Sequence, residues 1–196
     1  MKLGEIASVR SGLVLSRKQA HAFSGIRYPL LNLRAVNARG YIEEDQIEVY
    51  DAVEELSSEY LSKARDVIVR LSMPYTAVLI DEDTAGMVIS SNFVHIRANQ
   101  EILLPEYLYW LINTPEVKKK IYKNTSSNML GAIKAKFFVD FEMMLLPVSE
   151  QRKIAYLNSL AKEECRLLRK LANEKEKYYN MEIKNIYQQM KKGIIT

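Results

Sequence analysis

Residues 145–160, LLPVSEQRKIAYLNSL, decide how this chain divides. Pro147 interrupts the preceding pattern, and Ser149 is placed to cap a helix, although Arg152 rather than Glu or Gln stands three residues on, so no capping box forms. From there Leu157, Leu160, Leu167, Leu171 and Tyr178 recur at spacings of three, four and seven. Tyr179, Ile183, Ile186 and Met190 carry the stripe onward in a shifted phase, as a coiled-coil stutter does. Glu164 and Glu174 occupy stripe positions and leave the seam imperfect. A helix of roughly 40 residues is about 60 Å long, more than a domain of this size can cover. The spacing therefore predicts a compact unit over 1–148 and a long coiled-coil helix over 149–196, whose stripe, chiefly Leu157, Leu160, Leu167, Leu171, Tyr178, Ile183 and Ile186, pairs with a second copy as a homodimer. The alternative is a hairpin bent near Ala172 and Asn173 that folds back on its own domain.

Upstream of Pro147 the periodicity is mixed. LGEIASVRSG reads as a helical turn ending near Gly12, and RYPLLNLRAVNARGYI as a strand, a polar turn at Asn37 to Gly40, and re-entry into strand. RDVIVRLS and TAVLIDED have the β-branched enrichment of buried strands, and GMVISSNFVHIRA adds a third with a polar interruption at Ser90 to Asn92. LPEYLYWLINTPEVKKKIYKN is helical and restarts at Thr114 and Pro115, an N-cap and N1 pair. AKFFVDFEMMLLP closes the unit as a helical turn leading into a strand. The fold class is α+β: a compact mixed sheet followed by a long C-terminal helix.

Composition narrows the function. The 196 residues are 48% hydrophobic and 27% charged, ordinary for a folded soluble protein. The single cysteine, Cys165, can neither staple the chain nor build a metal site, which points to a reducing cytoplasm. No apolar run approaches the roughly 18 residues of a membrane span, and MKLGEIASVR carries no secretory leader. The net charge is +4, but its distribution is more telling. Between Ile6 and Ile42 stand Arg10, Arg17, Lys18, Arg27, Arg34 and Arg39 without an acid, and between Val117 and Val139 stand Lys118, Lys119, Lys120, Lys123, Lys134 and Lys136, again without one. Acids gather in YIEEDQIEVYDAVEELSSEY. The charge is polarised by segment, which suits an anionic partner, while a plain solvated face is the competing reading.

No catalytic constellation emerges. SMPY, Ser72 to Tyr75, resembles the tetrapeptide of amino-methyltransferases but has Met73 in place of the first proline and no glycine-rich cofactor loop. Asp81, Glu82 and Asp83 lack a following Glu-x-Lys and read as a hairpin turn. His21 and His95 have no ligand spacing, and His95 within NFVHIR reads as a strand residue with a satisfied ring. No metal site and no cofactor are expected in this chain.

Segment by segment, the sequence resembles the specificity subunits of type I restriction and modification systems. The resemblance rests on LGEIASVRSG, YPLLNLRAVN, RDVIVRLS with TAVLIDED, SSNFVHIR, LPEYLYWLIN and LPVSEQRKIA, in the order the family shows and over nearly the whole chain. Arg65 stands where a glycine usually precedes the aspartate of the DVIV strand, and Val148 and Ser149 stand where a second proline and a leucine or glutamate are common. Family members carry two target-recognition domains, each followed by a long helix, with the helices paired antiparallel as a spacer. The resemblance implies a half-length, non-catalytic subunit that reads one half of a bipartite site in double-stranded DNA. It also implies partners: methyltransferase subunits using S-adenosylmethionine and a translocating restriction subunit using ATP.

Phosphates are met by Lys and Arg, and base edges by Arg, Asn, Gln, Ser and Thr. The candidates for DNA contact are accordingly Arg10, Arg17 and Lys18 beside the first loop, Arg34, Asn37 and Arg39 around the turn, and Lys118, Lys119, Lys120 and Lys123. Ser126, Ser127, Asn128 and Lys134, in NTSSNMLGAIKAK around Gly131, occupy the place of the family's DNA-facing polar loop and come first. Exposed Lys and Arg are common on any surface. Two other readings stay open: a helix-dimerised protein-interaction module that does not read DNA, and a stand-alone DNA-modifying enzyme.

Overall fold

A computed structural model of the chain describes residues 1–20, 25–125 and 132–194. It has two units, Met1–Lys153 and Ile154–Thr196. The first is built on two sheets. Strands β1 (Ala7–Ser11), β7 (Phe93–Ala98), β4 (Val67–Arg70) and β5 (Ala77–Leu79) form an antiparallel four-stranded sheet in that order. Strands β3 (Glu48–Ala52), β2 (Ile26–Leu31) and β6 (Val88–Ile89) form a three-stranded sheet in which β2 runs antiparallel to β3 and parallel to β6.

Successive strand residues point to opposite faces, so neighbours in sequence enter different cores. Leu31 and Ile89 join Ile68, Val78 and Phe93 in a core shared by the two sheets, with Ala35, Val36, Ile80 and Met87. Leu30 and Val88, one residue earlier, join Leu13, Tyr50, Ala52 and Leu56 in a second cluster. The polar interruption at Ser90 to Asn92 is the point at which the chain passes from β6 in one sheet to β7 in the other. The end of β1 lies against it: Gly12 N–H donates to Phe93 O, Leu13 N–H to Ile89 O and Ser91 N–H to Leu13 O.

Helix α1 (Pro105–Ile112) has proline in its first turn and buries Tyr107, Leu108 and Ile112. Asn113 ends it, and its side-chain amide accepts from Ala77 N–H and donates to Ala77 O, closing the outer edge of β5 as a strand would. Helix α2 (Pro115–Thr125) restarts at the expected Thr114 and Pro115, with Thr114 Oγ1 accepting the Val117 N–H at 3.4 Å. Helix α3 (Ala135–Val139) follows, and helix α4 (Val148–Ile194) ends the described chain.

Four local expectations are corrected. LGEIASVRSG is a 3-10 turn only over Leu3–Glu5 and then strand β1, whose alternation was hidden because Ser8 and Arg10 occupy its polar face. RYPLLNLRAVNARGYI does not re-enter strand after its turn: Ile42 makes a single bridge to Val36, and the next strand is β3 in the acidic segment, an edge strand where charge is tolerated. The segment after α3 makes a single bridge, Glu142 with Lys2, and no strand. Ser149 lies inside the first turn of α4 and is not its cap; Pro147 O accepts the N–H groups of Glu150 and Gln151. The side chain that anchors this turn is the fully buried Gln151, which accepts from Leu104 N–H at 2.9 Å and donates to Ile102 O at 2.9 Å and Leu146 O at 2.8 Å.

Helix α4 is continuous for 47 residues, about 70 Å at 1.5 Å per residue, so no hairpin bend occurs at Ala172 and Asn173. Within the second unit Leu157, Leu160, Leu167, Leu171, Tyr178, Ile183 and Ile186 are all exposed, as are Leu168, Tyr179 and Met190. Arg166 with Glu163 and Lys177 with Glu174 form ion pairs one turn apart along it. No helix among the described residues is long and apolar enough to cross a membrane.

Candidate nucleic-acid interface

The two basic runs meet different fates. The first is matched by the acids that the sequence keeps apart from it. Strand pairing sets Arg27 opposite Asp51, and the two form an ion pair at 3.1 Å. Arg10 pairs with Glu59 at 2.7 Å, Lys18 with Glu54, and Arg34 with Glu48. All lie at the surface, where such pairs contribute little to stability and exchange readily for another anion. Arg17 is exposed in a 3-10 turn, Leu15–Arg17, and Arg39 is exposed in the loop between β2 and β3.

That loop carries a 3-10 turn over Glu44–Gln46, and side chains hold the rest of it closely. Asn37 Oδ1 accepts the N–H groups of Arg39 and Tyr41, and its Nδ2 donates to Glu43, so the amide shapes the turn. Gly40 adopts a φ of 81°, a left-handed conformation that costs glycine nothing. From outside, Arg70 Nη1 donates to Leu33 O and Val36 O, and the Tyr109 hydroxyl donates to Gly40 O. Burial pushes the Arg70 guanidinium down from its ordinary value.

The second run is arranged differently. Val117, Ile121 and Thr125 form the buried stripe of α2, and at 100° per residue three consecutive lysines cannot share one direction. Lys118 is half-buried and its ammonium pKa is lowered by desolvation. Lys119 and Lys123 fall opposite the stripe and are exposed. Lys120 lies 5.6 Å from the centre of the Phe141 ring and lines an open groove of about 770 Å³ with Asn124, Lys134, Lys136, Phe137, Asp140 and Glu142. Asp140 is engaged by Lys2 at 3.7 Å, and among the described residues no ion pair joins Lys119, Lys120, Lys134 or Lys136 to an acid. Ser126, Ser127, Asn128 and Gly131 lie outside the described residues, as does His21.

The structure also gathers residues that the sequence did not. Asp66, just before β4, is buried and accepts from Arg97 Nε at 2.8 Å, Arg97 Nη2 at 2.8 Å, Lys63 N–H at 2.6 Å and the His95 ring at 2.6 Å. Burial alone would raise its pKa, but Arg97 and His95 outweigh burial and hold the carboxyl below its ordinary value. The imidazole of His95 is thus satisfied, as its place in a strand suggested. The two-residue spacing of His95 and Arg97 puts them on one face of β7, but Asp66 comes from just before another strand and no spacing announces it.

The motifs weighed for chemistry fall into turns. Tyr75 of SMPY is buried, its hydroxyl 3.0 Å from Thr125 Oγ1. Asp81 Oδ1 accepts from the Thr84 N–H and hydroxyl, closing a turn that links the two sheets and is not a hairpin. No His, Cys, Asp and Glu cluster able to hold a metal occurs among the described residues.

No family model matches the sequence, and no curated protein matches it either. Solved structures do match the fold. One, from a study of complex assembly and conformational transition of the type I R-M system, has a TM-score of 0.66 at 20% identity, covering 90% of this chain and 45% of that one. Another, the HsdS subunit from Thermoanaerobacter tengcongensis, has a TM-score of 0.62 at 22% identity, again covering 90% of this chain and 45% of that one. The chain spans less than half the length of these neighbours. Over nine-tenths of its residues, then, this α+β chain has the fold found in one half of a type I HsdS subunit.

Proposed function

We propose that this chain is a non-catalytic specificity component of a cytoplasmic type I restriction-modification complex, reading one half of a bipartite site in double-stranded DNA. The observation that carries this reading is the fold shared with half of an HsdS subunit. Lys119, Lys120, Lys134 and Lys136 supply the sequence-independent attraction to phosphate that such a role needs. Methylation, with S-adenosylmethionine, and ATP-driven cleavage belong to partner subunits docked on the chain. This chain contributes no group to either reaction.

A second copy completes the bipartite reader through α4. Apolar side chains exposed along 47 residues favour pairing, at roughly 25 cal/mol per Å² of apolar surface removed from water. Antiparallel copies centred on Arg169 lay the stripe on itself, with Leu167 against the second copy's Leu171, Leu160 against its Tyr178 and Glu164 against its Glu174. A parallel pair in register would set Glu164 on Glu164 and Glu174 on Glu174.

The test is duplex binding by the chain together with a type I methyltransferase subunit. Affinity falls steeply as salt rises, and alanine at Lys119, Lys120 and Lys123 lowers the slope of log K against log salt by roughly one for each phosphate no longer neutralised, on all sequences alike. A full slope in the triple variant would reduce this helix to a solvated face.

A further inference from the structure

We propose that the cleft between the β1–β7 edge of the four-stranded sheet and residues Ser58 and Glu59 is a phosphate-binding site, with Arg10 and Arg97 as guanidinium donors and Ser8 and Ser58 as hydroxyl donors. The cleft measures about 280 Å³ and is lined by Ser8, Arg10, Ser58, Glu59, His95 and Arg97. Strand register builds it: Ser8 is opposite Arg97 and Arg10 opposite His95, so four polar side chains share one face of two paired strands. Arg10 and Arg97 are diagonal neighbours on that face, within reach of one small ligand.

Arg97 is fixed in orientation. Its Nε and Nη2 are spent on buried Asp66, and Nη1 makes no hydrogen bond with any described residue. An ionised carboxylate only accepts, so His95 Nε2 carries the proton it gives to Asp66. The 3.2 Å approach of Arg97 Nη2 to that nitrogen is therefore a meeting of two donors on one carboxylate oxygen, and the imidazole helps to lock the guanidinium. A buried carboxylate is a costly way to gain stability, and what it produces here is an arginine aimed from the wall of a cleft.

Arg10 is held more loosely, by Glu59 at 2.7 Å with both side chains well exposed. An incoming anion displaces that carboxylate at small cost. The fork of Arg10, the Nη1 of Arg97 and two hydroxyls converging from different walls match the tetrahedral oxygens of a phosphate better than a planar carboxylate. The phosphodiester of DNA and free phosphate share this chemistry. The former source rests on the function proposed above.

Two measurements decide it. Inorganic phosphate is titrated onto the full chain at constant ionic strength, followed by ³¹P line broadening. Saturable binding is expected, weakened about tenfold by Arg10→Ala and strengthened several-fold by Glu59→Gln. The exposed Arg27 and Asp51 pair is the control, and Arg27→Ala and Asp51→Asn leave binding unchanged. Separately, Arg10→Ala is expected to lower the salt slope of duplex binding by about one. Saturable phosphate binding with an unchanged DNA slope identifies free phosphate as the ligand, and a reduced slope identifies the phosphodiester. Neither effect, or equal effects from the control pair, overturns the proposal. If the wild-type chain with its methyltransferase binds no DNA, the function fails and the phosphate titration alone decides the cleft.

Discussion

At Gly12 there is no room for a methyl group. A Cβ would stand 2.2 Å from Ser90 O and 2.3 Å from Ile89 O, both backbone atoms that cannot rotate away. Gly12→Ala is expected to destabilise the fold by about 2–4 kcal/mol, read as a lower denaturation midpoint at unchanged slope. A change within about 0.5 kcal/mol would show that the crossover yields freely. Arg65, where the family resemblance leads one to expect glycine, has a φ of 73°, so the left-handed turn is kept without the residue that favours it. Asp66 gives a pH test. Its folded pKa lies below the unfolded value of about 3.9, so its stabilising contribution is complete above that value and is lost as pH falls through the folded one. Asp66→Asn should cost roughly 2–4 kcal/mol at pH 7, allowing for the partial exposure of Arg97, and the gap to wild type should narrow in urea melts below about pH 4. A gap that stays constant to pH 2 would assign the loss to packing.

Among the elements, those with a local apolar pattern or a proline-marked start were legible: β4 and β7 from their β-branched runs, α1 and α2 from Pro105 and the Thr114–Pro115 restart, α4 from its stripe. Strands β1 and β3 were not, because one presents Ser8 and Arg10 to a polar cleft and the other is an acidic edge. The ion pairs of the first basic run were hidden for a related reason: which arginine meets which acid is fixed by sheet register, a long-range fact that local pattern does not carry. For α4 the test is electrostatic. Glu164→Lys should strengthen self-association roughly tenfold by facing Glu174 of a second copy, and Glu164→Lys with Glu174→Lys, which restores like charges at that layer, should lose the gain, read by sedimentation equilibrium. No gain from the single variant would place Glu164 outside the seam or the copies in parallel.

For the whole molecule, the pairing proposed above constrains the DNA. If two identical copies present identical readers, the site modified in cells expressing this chain with a methyltransferase should be an inverted repeat of one half-site around an unread spacer. Mapping methylated positions genome-wide checks this, and two dissimilar half-sites would rule out self-pairing as the working arrangement. The division into a globular unit and a helix was legible from Pro147 onward, whereas the candidate groove was not: Lys120 and Lys134 were named as cations, but the groove that joins them to Phe137 and Phe141 required the fold. The first unit also returns to where it began. Leu3 N–H donates to Phe141 O and Met143 N–H donates to Met1 O, so the strand of chain that enters the unit lies beside the one that leaves it. A body whose entrance and exit coincide behaves as a cassette: its contents can be exchanged for another reader, or copied in tandem, with the flanking chain still joined at a single point.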